Sequence, residues 1–348
     1  MLRTRLLTGA ILAPLILAIV VLGEPWLSLL IGVAAFLAFV ELVALLDAAG
    51  YEPPQVLTIL AGMALTAAGL VSANAERVGG LLTTLLSALD PPGLVAATLI
   101  AAVMLMAAAA FTRPDPRAGF VTWAMSSFGL AYIGLLLPTI VLVAHLAPPG
   151  GSWTTPVGVL GLGSGVAWAL LLVLVVWGYD TGAFLTGRWL GRRRLIDHIS
   201  PSKTVEGLAG GLVAATIAAG IGAWLIGLEP WHPLLIGPLV GLAAQAGDLA
   251  ESMLKRAAGR KDSGVLIPGH GGMLDRIDSF LFAAPMLAGY ALLRGSLVAP
   301  FGIRAKTGFG HYFVTSVSRR ESKGAAAFKR WVREEVEEGM RQLAAMAG

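Results

Sequence analysis

Asp275 and Asp278 stand three residues apart, so a helix carries both carboxylates on one face. Upstream, Asp248 ends the apolar run that closes with Gln245-Ala246-Gly247, and on the same helix Ser252 and Lys255 follow it at i+4 and i+7. An acid, a hydroxyl and an ammonium therefore share one stripe. Between these groups the chain reads Pro268-Gly269-His270-Gly271-Gly272, a glycine-rich entry to the next helix. Glycine lets a backbone approach a ligand closely, and a helix N-terminus offers free N–H groups to an anion. A few carboxylates, a hydroxyl, basic side chains and such a helix start together suit Mg²⁺ bridged to phosphates. Mg²⁺ usually takes one or two protein carboxylates and leaves the rest of its shell to water and phosphate.

Blander readings exist for parts of this stretch. Asp275, Arg276 and Asp278 alone fit a charge cluster at a helix start, since acids favour N-termini. That reading does not explain Asp248 inside an apolar run, nor the two glycines after His270. His270 by itself is weak evidence, because a loop histidine is often just solvated.

The elements that must hold these residues are membrane helices. The chain has 348 residues, 56% hydrophobic and 13% charged, with a mean hydropathy of +0.78. Those values exclude an ordinary soluble domain and predict an all-α polytopic bundle. Cysteine is absent, which excludes disulfide and thiol chemistry. Nine spans are predicted, near 6–22, 27–46, 56–72, 94–111, 121–145, 166–187, 207–227, 234–254 and 275–293. The first apolar run is too long for a signal peptide and more spans follow it. Segment 78–89 reads as an interfacial helix or loop, and 150–165 as a glycine-rich loop without charge. Three regions follow: an N-terminal transmembrane region (1–165), a transmembrane region that carries the acids and the glycine-rich helix entry (166–295) and a polar tail (296–348).

Nine Lys and Arg against five Glu lie after Pro300, which accounts for the whole formal charge of +4 and leaves the membrane body neutral. Arg3, Arg5, Arg113, Arg117, Arg192-Arg193-Arg194, Lys203 and Arg260-Lys261 fall on one face if the N-terminus is cytoplasmic; Arg77 is the exception. The loop that runs through Pro268 to Gly272 is then cytoplasmic, as expected for a multi-pass protein of the inner (plasma) membrane. One more span would put the basic tail outside, so either the last helix does not fully cross or the tail is tolerated there. Glu41 and Asp47, near the end of the second span, are read as surface anchors.

A second informative region runs from Trp177 to Gly211. Asp180 sits deep in an apolar helix, which is costly without a partner. Ser200-Pro201-Ser202-Lys203-Thr204 reads as a polar turn whose hydroxyls and lysine suit phosphate. Arg192 to Arg194 are read chiefly as membrane-surface anchors, compatible with attraction to anionic lipid.

The stretch from Ser252 resembles the signature of the phosphatidate cytidylyltransferases, or CDP-diacylglycerol synthases. That pattern is Ser, two spacers, Lys-Arg, four spacers, Lys-Asp, then Pro-x-His-Gly-Gly, two spacers and Asp-Arg-x-Asp. Ser252, Lys255, Arg256, Lys261, Asp262, Pro268, His270, Gly271, Gly272, Asp275, Arg276 and Asp278 meet it at every position. The family's Asp-x-x-Ala-Tyr/Phe and Ser-Pro-x-Lys-Thr-x-Glu-Gly segments are matched by Asp180, Ala183, Phe184, Ser200, Pro201, Lys203, Thr204, Glu206 and Gly207. Before Trp177 only the span pattern resembles the family.

The resemblance implies CTP and phosphatidate as substrates, giving CDP-diacylglycerol and pyrophosphate, with membrane lipid around the site. It implies a divalent metal such as Mg²⁺, admits a second, monovalent cation such as K⁺, and implies a homodimer. Asp248 and Asp275 are the first candidates for the metal, with Asp278 and Asp180 as further ones. Asp248, Lys255, Asp275 and Asp278 are the expected catalytic residues. Ser200, Lys203, Ser252, Arg256, Lys261, His270, Gly271, Gly272 and Arg276 are the expected substrate contacts. A phosphate nucleophile needs no general base, so His270 is not expected to be one.

Other readings compete. A secondary transporter also carries intramembrane carboxylates and broken helices, but needs no Lys-Arg, Lys-Asp and Gly-Gly on one loop. The Asp-Gly-x-x-Ala-Arg pattern of CDP-alcohol phosphotransferases is absent. A cytidylyltransferase for another lipid phosphate stays open. The tail, with Gly308-Phe309-Gly310-His311-Tyr312-Phe313-Val314 and Ala325-Ala326-Ala327-Phe328-Lys329-Arg330-Trp331, resembles the C-terminal end of a LysR-type effector-binding domain. It brings no helix-turn-helix, so nucleic acid is not an expected partner.

Overall fold

In lipid, large apolar side chains gain nothing by turning inward, so helix interfaces fill with small residues that let backbones approach. Helix α8 (Val205–Ile226) is built this way. Val213, Ile217, Ile221 and Trp224 lie exposed along one stripe, while Gly211, Ala215, Ala219 and Gly222 are buried on the other. Its partner is α7 (Ser164–Leu190), and the two make the most extensive helix contact among the described residues. A methyl group on Gly182 would run into the Ala214 side chain and the Gly210 carbonyl, so the seam tolerates no larger residue there.

The computed structural model describes residues 2–75, 91–146, 164–264, 266 and 271–293. The chain divides into two units, Met1–Phe301 and Gly302–Gly348, and every described residue lies in the first. Segment 78–89, most of the 150–165 loop, His270 and the polar tail lie outside the described residues.

The remaining helices are α1 (Leu2–Leu22), α2 (Trp26–Ala48), α3 (Gln55–Ala73), α4 (Pro91–Ala110), α5 (Pro116–Gly129), the short α6 (Thr139–Val143), α9 (Pro233–Ala257) and α10 (Leu274–Leu293). A π-helical turn, Leu130–Leu135, joins α5 towards α6, and the three together make one span, Pro116–Val143. All nine predicted spans are helical. Eight described helical segments are long and apolar enough to cross a membrane, and the first of the nine contributes a shorter apolar helix, Thr8–Leu22. The protein is an all-α polytopic membrane protein. Pro238 inside α9 and Pro285 inside α10 are tolerated because neighbouring helices can satisfy the freed carbonyls.

Two apolar clusters meet on α10. Ala283, Ala284 and Leu287 pack with Leu171, Val175, Tyr179, Ala215 and Val240 of α7, α8 and α9. Ile277 and Leu281 pack with Phe39, Leu42, Leu45, Ile133 and Leu137 on the N-terminal side. Helix α10 is thus the shared wall of both halves. A buried hydrogen bond from Tyr179 Oη to Gln245 Oε1, 2.8 Å, ties α7 to α9.

The predicted polar turn before α8 is instead one strand of a hairpin. β1 (Arg194–Ile196) pairs antiparallel with β2 (Ser200–Thr204), in the register Arg194 with Thr204 and Ile196 with Ser200. Three local bonds fix its exit into α8. Thr204 caps the helix by accepting from the Gly207 N–H at 3.0 Å, and Glu206 reaches back to the Arg192 and Arg193 N–H groups at 3.0 and 3.2 Å. The hairpin thereby delivers Lys203 to the helix bundle.

Candidate active site

A cavity of about 430 Å³ opens among α7, β2, α8, α9 and α10, within the size range of ligand sites. Asp180, Asp248, Asp275 and Asp278 line it, with Lys203, Arg188, Ser202, Thr204 and the apolar Phe184 and Leu208. The acids come from three helices. Asp180 is on α7, Asp248 on α9, and Asp275 and Asp278 are in the first turns of α10. Gly247 explains how α9 and α10 come so close: a side chain there would collide with the Asp278 carbonyl oxygen.

Two lysine clusters organise these acids. Lys203 pairs with Asp248 Oδ2 at the cavity wall, where both side chains keep about a quarter of their exposure (24% and 22%). Ser252 Oγ lies 3.4 Å from the other oxygen, Asp248 Oδ1. Lys255 is placed differently. It pairs with Glu251 one turn back and with Asp275 Oδ1 at 2.6 Å, and Glu251 is wholly enclosed. Asp275 Oδ2 accepts from the Gly272 N–H at 2.9 Å, the Ser263 N–H at 3.0 Å and Ser263 Oγ at 2.8 Å. Gly271 has φ +82°, a left-handed conformation that glycine adopts without strain, and a side chain there would also crowd Asp275.

Glu41 is the residue that sequence reasoning misplaced. It is buried rather than a surface anchor. Its carboxylate accepts from the Met273 N–H (2.8 Å), the Leu274 N–H (2.8 Å) and Ser263 Oγ (2.9 Å). Asp47 is exposed, as an anchor would be. Glu251, Ser263 and Arg188 were also missed. Glu251 and Ser263 lie inside the signature stretch or beside it, but at positions the motif does not name.

The other predicted residues divide by place. Lys203, Asp180, Asp248, Asp275 and Asp278 line the cavity. Ser200 is buried with its hydroxyl 3.4 Å from that of Ser202, and Arg256 donates from Nε to the Ile199 carbonyl at 3.2 Å, tying α9 to the hairpin. Lys261 and Arg276 are exposed. Gly271 and Gly272 form the turn into α10, and a side chain on Gly272 would collide with Ser263 and Glu41.

The donor set suits a divalent cation in an open site. Among the described residues no three His, Cys, Asp or Glu side chains are grouped so as to hold one metal ion, and Mg²⁺ usually takes only one or two protein carboxylates. Asp180 has no hydrogen bond from a described residue, and Asp278 takes only the Ser279 N–H, at 2.6 Å on Oδ1. Both therefore keep oxygens towards the cavity. Asp275 is heavily engaged by comparison. Four carboxylates against Lys203 and Arg188 also leave the wall short of positive charge for any ligand rich in phosphate.

Fold and cavity together define a polytopic helical membrane protein with a carboxylate-rich pocket set among its spans. Residues 3–293 match the cytidylyltransferase family, and the chain belongs to it. The phosphatidate cytidylyltransferase of Synechocystis sp. is 46% identical over 132 residues, 37% of this chain and 45% of that protein. The one of Bacillus subtilis is 47% identical over 125 residues, 35% of this chain and 46% of that protein. The uncharacterized protein YnbB of Escherichia coli is 39% identical over 149 residues, 42% of this chain and 48% of that protein. The chain spans about half the length of the curated relatives it matches.

Proposed function

We propose that this protein transfers the cytidylyl group of CTP to phosphatidate, forming CDP-diacylglycerol and pyrophosphate. The observation that carries the reading is the convergence, on one cavity, of Lys203 from the Ser-Pro-x-Lys-Thr segment with Asp275 and Asp278 of the signature and with Asp248 just upstream of it. The names of the Synechocystis and Bacillus relatives support the same chemistry.

The phosphate of phosphatidate is the attacking group, and its oxygen displaces pyrophosphate at the α-phosphate of CTP. A phosphomonoester has a second pKa near 6, so at neutral pH it is largely ionised and no base must deprotonate it. The obstacle is mutual repulsion of two anions. Lys203 answers part of it: its partner Asp248 sits on the same wall, so the ammonium can turn from that carboxylate to an incoming phosphate. Arg188 stands at the same cavity and offers a second cationic contact. One or two of Asp248, Asp275, Asp278 and Asp180 would hold Mg²⁺, and a monovalent cation such as K⁺ is compatible with the acids that the first ion leaves open. Bound there, a divalent ion neutralises phosphate charge and orients the groups for in-line displacement. The enclosing helix walls hold that geometry.

The placement of basic loops supports an orientation in the inner membrane with the cavity reached from the cytoplasm, where CTP is. The test uses purified protein in detergent–lipid micelles with radiolabelled CTP, Mg²⁺ and a panel of lipid phosphates, including phosphatidate and an ether-lipid phosphate. Labelled CDP-diacylglycerol is the expected product. Transfer only to another lipid phosphate would move the substrate, and no transfer to any would remove the reading.

A further inference from the structure

We infer that Glu41 is a positioning residue for this cavity: from the N-terminal half of the chain it holds the first turn of α10 and Ser263, and through them sets the orientation of Asp275.

The accounting of hydrogen bonds leads there. The first turn of a helix presents N–H groups with no partner inside the helix. At α10 these include Met273 and Leu274, and neither is satisfied by a residue close in sequence. Both bond to one carboxylate that lies 232 and 233 residues earlier. Each Glu41 oxygen takes one of them, at 2.8 Å, and Oε2 also takes Ser263 Oγ at 2.9 Å. The negative charge sits where a helix N-terminus stabilises it.

Room has been kept for this carboxylate. A side chain on Gly264 or Gly272 would collide with it, so two glycines near the signature leave space for a protein acid as well as for any ligand. Phe39, Leu42 and Leu45 on α2 pack in the same cluster as Leu274, Ile277 and Leu281 on α10, so the acid is delivered by a packed helix face.

Ser263 makes the contact more than a cap. Its hydroxyl lies 2.9 Å from Glu41 and 2.8 Å from Asp275, but it has one hydrogen to donate. Two carboxylates therefore compete for one proton donor. When Glu41 takes it, Asp275 Oδ2 keeps the Gly272 and Ser263 N–H bonds, one for each of its two lone pairs. When Glu41 is absent, the hydroxyl turns wholly to Asp275. Glutamate is specifically suited to this post. Glutamine has one oxygen, and its amide NH₂ would face one of the two N–H groups.

The experiment compares Glu41→Gln, Ser263→Ala, the double variant and Asp47→Asn, an exposed acid on the same helix, all in the full chain. The first readout is amide hydrogen exchange resolved to single residues, with and without Mg²⁺. Glu41→Gln is expected to speed exchange at Met273 and Leu274 by tenfold or more, and also at Gly272. The Gly272 N–H bonds to Asp275 and not to Glu41, so a residue acting only as a cap would leave it unchanged. The second readout rests on the proposed function. The Mg²⁺ concentration for half-maximal transfer should rise, and kcat should fall about 10–100-fold, the usual range for groups that orient metal ligands. The double variant should lose less than the product of the single losses. Asp47→Asn should match the parent.

Parental exchange at Gly272, or losses that simply multiply, would overturn the inference. Should Glu41→Gln fail to fold, Ser263→Ala keeps the cap and must still raise the Mg²⁺ requirement and speed Gly272 exchange; parental behaviour there sinks the idea. A parent protein without transfer activity would count against the proposed function alone, since the exchange readout stands without turnover.

Discussion

The two lysine clusters of the site use the same chemistry in opposite ways. Lys203 and Asp248 meet at the cavity wall with about a quarter of each side chain still exposed. Lys255 is held behind the wall between Glu251 and Asp275, with 12%, 0% and 9% of the respective side chains exposed. A pair that water reaches is screened, and can be exchanged for a ligand at less cost than an enclosed one. A buried pair stabilises mainly by what its loss would leave behind, an uncompensated charge costing about 3–5 kcal/mol. The comparison shows that the motif lysine most prominent in the sequence pairs with two acids behind the cavity wall, whereas the hairpin lysine lines the cavity itself.

Lys255→Gln should give the largest effect and tests the buried cluster. It leaves Glu251 and Asp275 facing each other without a cation, so the melting temperature in detergent should fall clearly and transfer should become undetectable. Parental melting would show that Lys255 is not structural. Lys203→Gln should break the comparison in the other direction. Transfer should drop by about 10²–10³, the scale of losing one positioned electrostatic group, with melting close to the parent. A large loss of stability would erase the distinction between the clusters.

His270→Gln asks whether anything beyond charge is needed. Measurable transfer should remain, with a rate flat in pH above the ionisation of the substrate. A parent profile that titrates with a histidine-like pKa, together with a dead variant, would restore acid–base chemistry to the site. Deleting residues 301–348 should have the smallest effect, none on transfer, because both lysine clusters lie outside the tail. Loss of activity in correctly inserted protein would make the tail part of the enzyme.

What could be read from the sequence was local or costly. The α9 stripe of Asp248, Ser252 and Lys255 follows from helical spacing alone, and Asp180 and Asp248 stand out because an acid in an apolar helix needs a reason. The spans follow from hydropathy. The hairpin was missed because strands of three and five residues leave no alternation to detect. Glu41 met the same criterion as Asp180, but lay close enough to a span end to pass as an anchor. The sequence does not say that α2 packs against the start of α10, and without that neighbour its carboxylate has no visible task. Of the two acids at Lys255, Glu251 stands at helical spacing one turn back, whereas Asp275 reaches it only through the packing of α9 against α10.

The reach of Glu41 also bears on how freely the two halves of such a chain can be recombined. A signature half transplanted behind a foreign N-terminal half would arrive with the Met273 and Leu274 N–H groups unaccompanied, unless the recipient supplied a carboxylate on the corresponding helix face. A pair of glycines sized to admit that carboxylate would then border a void. Inheritance of the signature is therefore conditional: its acids come with the motif, but their alignment comes from a helix more than two hundred residues away.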